Sequence, residues 1–407
     1  MSAPDDASAA ARTVALYPWF RFFQNLLFWQ AIWFLFFQSR LSAAEAILLY
    51  AIYDMGTLLL EVPSGYLSDR IGRRITLIVS ALAGFAATAL LSVGDSFAVF
   101  ALAQVLLGAS MAFASGTDSA LLYESLVRCG RQDDVEREEL RAWRFSFTAL
   151  AVSALAGGGL GLVSDRLPFA GAAAAFACAL VVALRFHEPG GKRRAAGLLP
   201  DSTRLATLRT AFRTPALLWL FALSVAMYGF SHVPFVFGQP FILEALDGIG
   251  FAHDAPVVSG AVTAAMMVLS VGTSHLAPWL RARLGLAALL LLAYAMQVGL
   301  IWALTQSVQA LAIALLFLRM VPDSLSGPFI RARVQTLLSD DSRATYVSIQ
   351  SLVGRLAFAG TLYLAAIAAP DAGQLAFADL HRIMGAYAMG GALYLALLGF
   401  AATRIRI

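Results

Sequence analysis

The stretch Gly65-Tyr66-Leu67-Ser68-Asp69-Arg70-Ile71-Gly72-Arg73-Arg74 is a charged interruption where two long apolar runs, 44–68 and 75–93, meet. Its parts suit the junction of two membrane-crossing helices. Gly65 permits close helix approach, and Gly72 permits a tight turn at positive φ. Asp69 is the kind of anion a helix N-terminus attracts. Arg70, Arg73 and Arg74 suit anionic lipid heads or acidic neighbours at the membrane surface.

Outward from this junction the apolar runs continue through nearly the whole chain. Of 407 residues 60% are hydrophobic and only 13% charged, about half the charge of ordinary soluble domains. No soluble core of this size hides so much apolar surface. A span needs about 20 apolar residues, and on that ruler there are twelve. They lie near 17–39, 44–68, 75–93, 97–124, 142–164 and 167–186, then 215–245, 254–280, 285–304, 308–330, 345–369 and 379–403. Pro234 and Pro240 are expected to bend the seventh.

The domain reading follows. Residues 1–16 are a cytoplasmic tail, unstructured by expectation. Residues 17–186 form a first six-helix bundle, 187–214 a polar linker, 215–403 a second bundle and 404–407 a short tail. Every cationic residue but Lys192 is arginine, and the arginines collect in alternate loops, which places both termini in the cytoplasm. The charged segment 125–141 reads as a solvated amphipathic loop helix. Arginine in place of lysine, with abundant alanine, fits a GC-rich bacterium and hence its inner membrane. No basic stripe for nucleic acid is present. Cys129 and Cys178 are too far apart for a CxxC metal spacing, no HxxxH pattern occurs, and no cofactor is implied.

Residues 278–285, Pro-Trp-Leu-Arg-Ala-Arg-Leu-Gly, repeat the pattern of 65–72, again between the second and third spans of a half. Repeated halves are a transporter trait. The run 65–74 resembles the loop 2–3 signature G-x-x-x-D-R-x-G-R-R of the major facilitator superfamily. Its six fixed positions coincide by chance on the order of 10⁻⁷ per start point. With twelve spans and the half-repeat, the resemblance covers nearly the whole chain. It implies an all-α polytopic membrane fold of two pseudo-symmetric six-helix bundles. It also implies a latch between the halves. Asp69 would face the start of helix 11 near Ser342 to Thr345, and a motif arginine would pair with Glu124 at the end of helix 4. The chain departs from the drug–proton antiporter pattern: Gln104 stands four residues before Gly108, where that pattern has arginine. Helix 5 carries Gly157, Gly158, Gly159 and Gly161 without a Gly-Pro pair.

Charges inside spans cost about 2.5–3.5 kcal/mol each and so mark candidate sites. Asp54 and Glu61 lie seven residues apart in span 2, on nearly one face; burial favours a neutral carboxyl, so both are candidates for proton exchange. Arg319 has Asp323 one turn on, the spacing of an ion pair. Arg355 has no carboxylate in its own span, and pairing with Asp54 in one transport state is an expectation. Asp118, towards the cytoplasmic end of span 4, is read as part of a charge network or as a substrate contact. His232 beside Pro234 is read as a hydrogen-bonded structural residue or a cavity group. The rings of span 1 either face lipid or wall a cavity.

The expected function is secondary transport by alternating access, proton-coupled, exporting a small amphipathic organic molecule as a monomer among membrane lipids. Uptake of an anionic metabolite or siderophore-like chelate is the alternative raised by Arg319 and Arg355. A non-transporting receptor or scaffold on the same fold is a third. No P-loop or catalytic constellation favours an enzyme.

Overall fold

Residues 3–11 hold five alanines, four of them after Asp5 and Asp6. Alanine is the strongest helix former, and acids favour a helix N-terminus. In the computed structural model these residues are helical, not the unstructured tail expected: α1 runs Ala3–Gln24. The structure describes residues 3–188, 213–307, 309–337, 340–370 and 375–405. Nearly all of the expected linker, 189–212, lies outside them.

The helices that follow are α2 (Trp33–Gln38), α3 (Ala43–Ile71), α4 (Arg73–Val93), α5 (Phe97–Ala114), α6 (Thr117–Arg128), α7 (Val135–Val163) and α8 (Leu167–Leu184). After the linker come α9 (Pro215–Asp247), α10 (Ala255–Leu284), α11 (Leu286–Gln306), α12 (Val321–Leu337), α13 (Asp340–Ala368) and α14 (Phe377–Ala402). A 3₁₀ segment, Ala310–Leu318, precedes α12. Among the described residues eleven helical stretches are long and apolar enough to cross a membrane. The fold is all-α and polytopic.

The expected first span, 17–39, is broken. Between α1 and α2 lie an irregular stretch and a 3₁₀ turn, Phe28–Ala31. Asn25 turns its side chain back on the helix, Nδ2 donating to the Arg21 carbonyl at 2.7 Å; such local competition unwinds helices. Irregular backbone at membrane depth survives where it is buried in protein or lines a wet cavity. Gly157 of α7 supplies that cover, since a Cβ there would sit 1.9 Å from the Phe28 carbonyl oxygen. The fourth span is interrupted too, at Ser115–Gly116 between α5 and α6, where Gly116 takes φ +74°. The seventh, α9, continues through both Pro234 and Pro240.

Two compact units divide the chain: residues 1–36 with 52–198, and 37–51 with 199–407. In the first, Ser80 Oγ donates to the Ser110 carbonyl at 2.7 Å and Ser64 Oγ to the Ala112 carbonyl at 2.9 Å, tying α3 and α4 to α5. Segment 125–141 is not simply solvated. Glu138 is only 5% exposed and gathers Arg131 at 3.0 Å, with Arg137 and Arg141 each at 3.5 Å. In the second unit, Tyr346 Oη donates to the Leu217 carbonyl at 2.6 Å. Trp219 Nε1 donates to the Leu398 carbonyl at 2.9 Å. These bonds fix α9 against α13 and α14 around a core that includes Leu220, Leu223, Leu289 and Tyr294.

Candidate functional site

The junction of α3 and α4 is built around one residue in a conformation that glycine favours. Gly72 takes φ +109°, where a Cβ is strained. The turn points the first N–H groups of α4 outward, and Glu188 caps them. Its two oxygens accept from Arg73 N at 2.9 Å and Arg74 N at 2.7 Å, an anion on a helix N-terminus. A Cβ on Gly72 would stand 2.7 Å from the Glu188 carboxyl. Glu188 was not singled out from sequence, because nothing near it in the chain resembles its target. A weak signal was available: one acid at the head of a basic linker.

The motif arginines divide their partners. Arg73 Nε reaches Glu124 Oε1 at 3.3 Å and its Nη1 reaches Ser68 Oγ at 2.8 Å. Arg74 Nη2 donates to the Leu184 carbonyl at 2.7 Å. Arg70 is exposed and donates to Tyr66 Oη at 2.9 Å. At Gly65 a Cβ would meet nothing within 4 Å among the described residues. Close approach falls instead on Gly108 of α5, whose Cβ would lie 2.7 Å from Thr57 N and 2.8 Å from Tyr53 O of α3. The Asp69 side chain and those of residues 341–345 lie outside what the structure describes.

Deeper in the first unit, Asp54 stands on α3 at 0% exposure beside that α3–α5 contact, while Glu61 is half-buried. Asp118, in the first turn of α6, is buried and forms an ion pair with Arg21 of α1. Its Oδ1 also accepts from Ser119 N at 2.7 Å. Ser146 Oγ accepts from Arg21 Nε at 3.4 Å and from Asn25 Nδ2 at 3.3 Å. Asp118 thus belongs to a charge network at the head of the unwound first span. The sequence reading missed Arg21, which lies among the aromatic residues that open span 1.

In the second unit the candidate residues line an aromatic strip. Arg355 lies over Tyr228 (5.6 Å from Cζ to ring centroid). The Tyr228 and His232 rings lie 4.4 Å apart, tilted by 37°, and His232 Nδ1 bonds the Tyr228 carbonyl oxygen at 2.6 Å. Phe358 packs on both rings. Tyr50 then contacts Phe358 and Phe235, and Arg319 lies over Phe235 at 5.1 Å. Each end of the strip therefore carries a guanidinium on a ring face, a cation–π arrangement.

The expected Arg319–Asp323 pair is absent among the described residues, where no ion pair within 4 Å joins them. Residues 319 and 320 form a turn between the 3₁₀ segment and α12, so the helical spacing that would stack the two charges is interrupted. Asp323 accepts instead from Gln297 Nε2 at 3.2 Å, and Arg319 Nε faces Met266 Sδ at 3.1 Å.

Buried ionic groups, an interrupted first span and two helical units define a class: polytopic membrane transporters. The sequence profile of the Major Facilitator Superfamily matches residues 14–361, and the chain belongs to that family. Its function is secondary transport. Solved structures similar in fold include a variant of the nucleoside transporter NupG (TM-score 0.77, 12% identity, 96% of this chain and 100% of that one). A variant of the peptide transporter POT gives 0.70 at 14% identity, covering 100% of each chain. The D-xylose-proton symporter gives 0.68 at 14%, covering 98% of each. No curated protein matches the chain in sequence.

Proposed function

We propose that this transporter exports small amphipathic organic molecules bearing an anionic group, driven by the proton gradient and working by alternating access. The observation that carries this reading is the strip ending in Arg319. Its guanidinium is seated on Phe235 and Met266, with no carboxylate within 4 Å among the described residues. A buried cation so placed attracts an anion, and the adjoining rings suit an apolar body. Asp54, buried on α3, and Asp323, held by Gln297, are the proton carriers, with Glu61 a lesser candidate. The fold shared with a D-xylose-proton symporter supports proton coupling. The cluster of Gly72, Arg73, Arg74 and Glu124, with Asp69 and Arg70, is the latch that changes partners as the protein changes state. The chain works as a monomer in a bacterial inner membrane with both termini cytoplasmic, as the arginine distribution supports.

Uptake of an anionic metabolite through the same strip is the second reading, favoured by the paired placement of Arg319 and Arg355. Thermal stability of purified protein against a panel of amphipathic organic anions and cations, at two pH values, tests the substrate class. Anions are expected to stabilise the wild type and to lose most of that effect in Arg319→Gln. Stabilisation by cations alone, unchanged in Arg319→Gln, would overturn the anionic reading. Flux in proteoliposomes with an imposed pH gradient separates export from uptake, and Asp54→Asn is expected to uncouple it.

A further inference from the structure

Within the second unit a cavity of about 580 Å³ lies between α9, α13 and α14, with Tyr294 of α11 at its inner wall. That volume falls within the range of about 300–1,000 Å³ typical of ligand cavities. Val225, Phe230, Phe358, Ala365 and Ile383 are among its lining, and Arg382 is the one charged residue among the described lining. Two polar groups of the wall are hydrogen-bonded to backbone and a third is buried. Thr361 Oγ1 donates to the Phe358 carbonyl at 2.8 Å, Tyr394 Oη donates to the Ala222 carbonyl at 3.3 Å, and Tyr294 is fully buried. Tyr387 adds one more hydroxyl, itself buried, and the rest of the described lining is mainly apolar.

The flanks of the cavity say what reaches it. Leu364 and Ile367 of α13 are 65% and 67% exposed, and Met389 and Leu393 of α14 are 72% and 66% exposed. Large apolar side chains this exposed in a membrane span face acyl chains, so the cavity opens onto lipid. Its length also fits. From Arg382 to Tyr394 α14 advances about 18 Å, at 1.5 Å per residue, against about 15 Å for one leaflet of a ~30 Å hydrocarbon core. The charged end lies near the start of α14. Arg382 Nη2 donates to Asp379 Oδ1 at 3.0 Å and to the Ala368 carbonyl. A guanidinium has five N–H donors, and the Arg382 side chain is 61% exposed, so donors remain for an anion at the membrane surface.

We propose that this cavity is a phospholipid site, in which one acyl chain lies along α14 between α9 and α13 and the lipid phosphate sits on Arg382. The bound chain replaces protein–protein packing between α13 and α14, so the lipid is a structural component of the second unit.

The test is native mass spectrometry of protein released from nanodiscs of phosphatidylethanolamine and phosphatidylglycerol. Gly390 lines the cavity, and a Cβ there meets nothing within 4 Å among the described residues. Gly390→Leu therefore fills the void without displacing the helix. Gly399, equally unhindered and outside the cavity, provides the control Gly399→Leu. The wild type is expected to retain one phospholipid. Gly390→Leu should lower that occupancy at least tenfold, Arg382→Gln severalfold, and Gly399→Leu not at all, with thermal unfolding confirming that each variant is folded. Equal retention by Gly390→Leu and the wild type would overturn the proposal. So would equal loss in both glycine variants, or phospholipid retention indifferent to Arg382→Gln.

Discussion

Removing the Glu188 carboxylate should loosen the α3–α4 junction in a measurable and local way. Its two oxygens accept from Arg73 N and Arg74 N at 2.9 and 2.7 Å. Hydrogen bonds to a charged group contribute about 1.5–3 kcal/mol each when buried. Glu188 is only half-buried, so solvent screening brings the pair to about 2 kcal/mol in total. For a unit of this size that lowers Tm by roughly 4–8 °C. Glu188→Gln keeps an oxygen acceptor without the charge and should fall about halfway. Hydrogen–deuterium exchange across residues 72–80 provides the local readout, because the Arg73 and Arg74 amides lose their acceptor in Glu188→Ala and should exchange faster. Gly72→Ala adds a second arm. It carries strain at φ +109° together with a Cβ 2.7 Å from the Glu188 carboxyl; backbone strain of this kind costs about 1–3 kcal/mol. Glu188→Ala removes the clash but not the strain, so the double variant should be less destabilised than the two singles added together. Unchanged exchange at residues 72–80 in Glu188→Ala would refute the cap, whatever happened to Tm.

Asp118→Asn should cost about 3 kcal/mol or more in thermal unfolding, because it leaves the Arg21 guanidinium without its carboxylate; adding Arg21→Gln should recover part of the loss, and no recovery would mean the two act independently. Gly108→Ala should destabilise by about 1–3 kcal/mol, since its Cβ meets backbone atoms that cannot rotate away, whereas Gly65→Ala should stay within about 0.5 kcal/mol; equal Tm shifts would contradict the packing described. Burial pushes the Cys129 thiol up, Arg131 only partly opposing it, so the reactive thiolate is scarce near neutral pH and maleimide labelling should be slow at pH 7 and climb steeply towards pH 9. Asp6→Ala, which frees the start of α1 from His187 and Arg128, should speed that labelling, and a wild type as reactive as denatured protein would count against the docked terminus.

The spans were legible because an apolar run of about 20 residues has one fate in a bilayer. What the chain does within a span was not. Hydrophobicity is blind to backbone continuity, and the break after Gln24 depends on two partners: the Asn25 amide on its own helix and Gly157 from α7. The glycine-rich stretch at 157–161 was visible, but its role needs the Phe28 carbonyl beside it. Arg319 and Asp323 illustrate the same limit, since spacing implies a pair only along a continuous helix and the chain turns between them. The helical start of the chain was a different error. Its alanines were legible, and its charges were read as a mark of disorder when acids at that end favour the helix. Residue types at the signature junction were informative, yet the close helix approach among the described residues falls at Gly108, because helix contact depends on which face the neighbouring helix meets.

The half-repeat gains a physical meaning in the backbone. Gly72 and Gly285 occupy matching positions in the two copies, and both take positive φ, +109° and +79°. The same sharp turn is thus encoded twice, and the copies differ in what surrounds it. In the first, Glu188 caps the following helix and Arg73 pairs with Glu124. In the second, a Cβ at Gly285 meets nothing within 4 Å among the described residues. There Arg281 lies over Phe329 at 4.9 Å and Arg283 over Trp279 at 4.6 Å. Among the described residues, one junction is held by carboxylates and the other by rings. Exposed ionic contacts weaken as salt shortens the Debye length from about 10 Å at 0.1 M to about 3 Å at 1 M. Aromatic packing carries a large apolar share that salt does not screen. Raising ionic strength should therefore loosen residues 68–76 and leave 281–289 nearly unchanged, and equal loosening of both stretches would contradict the contrast.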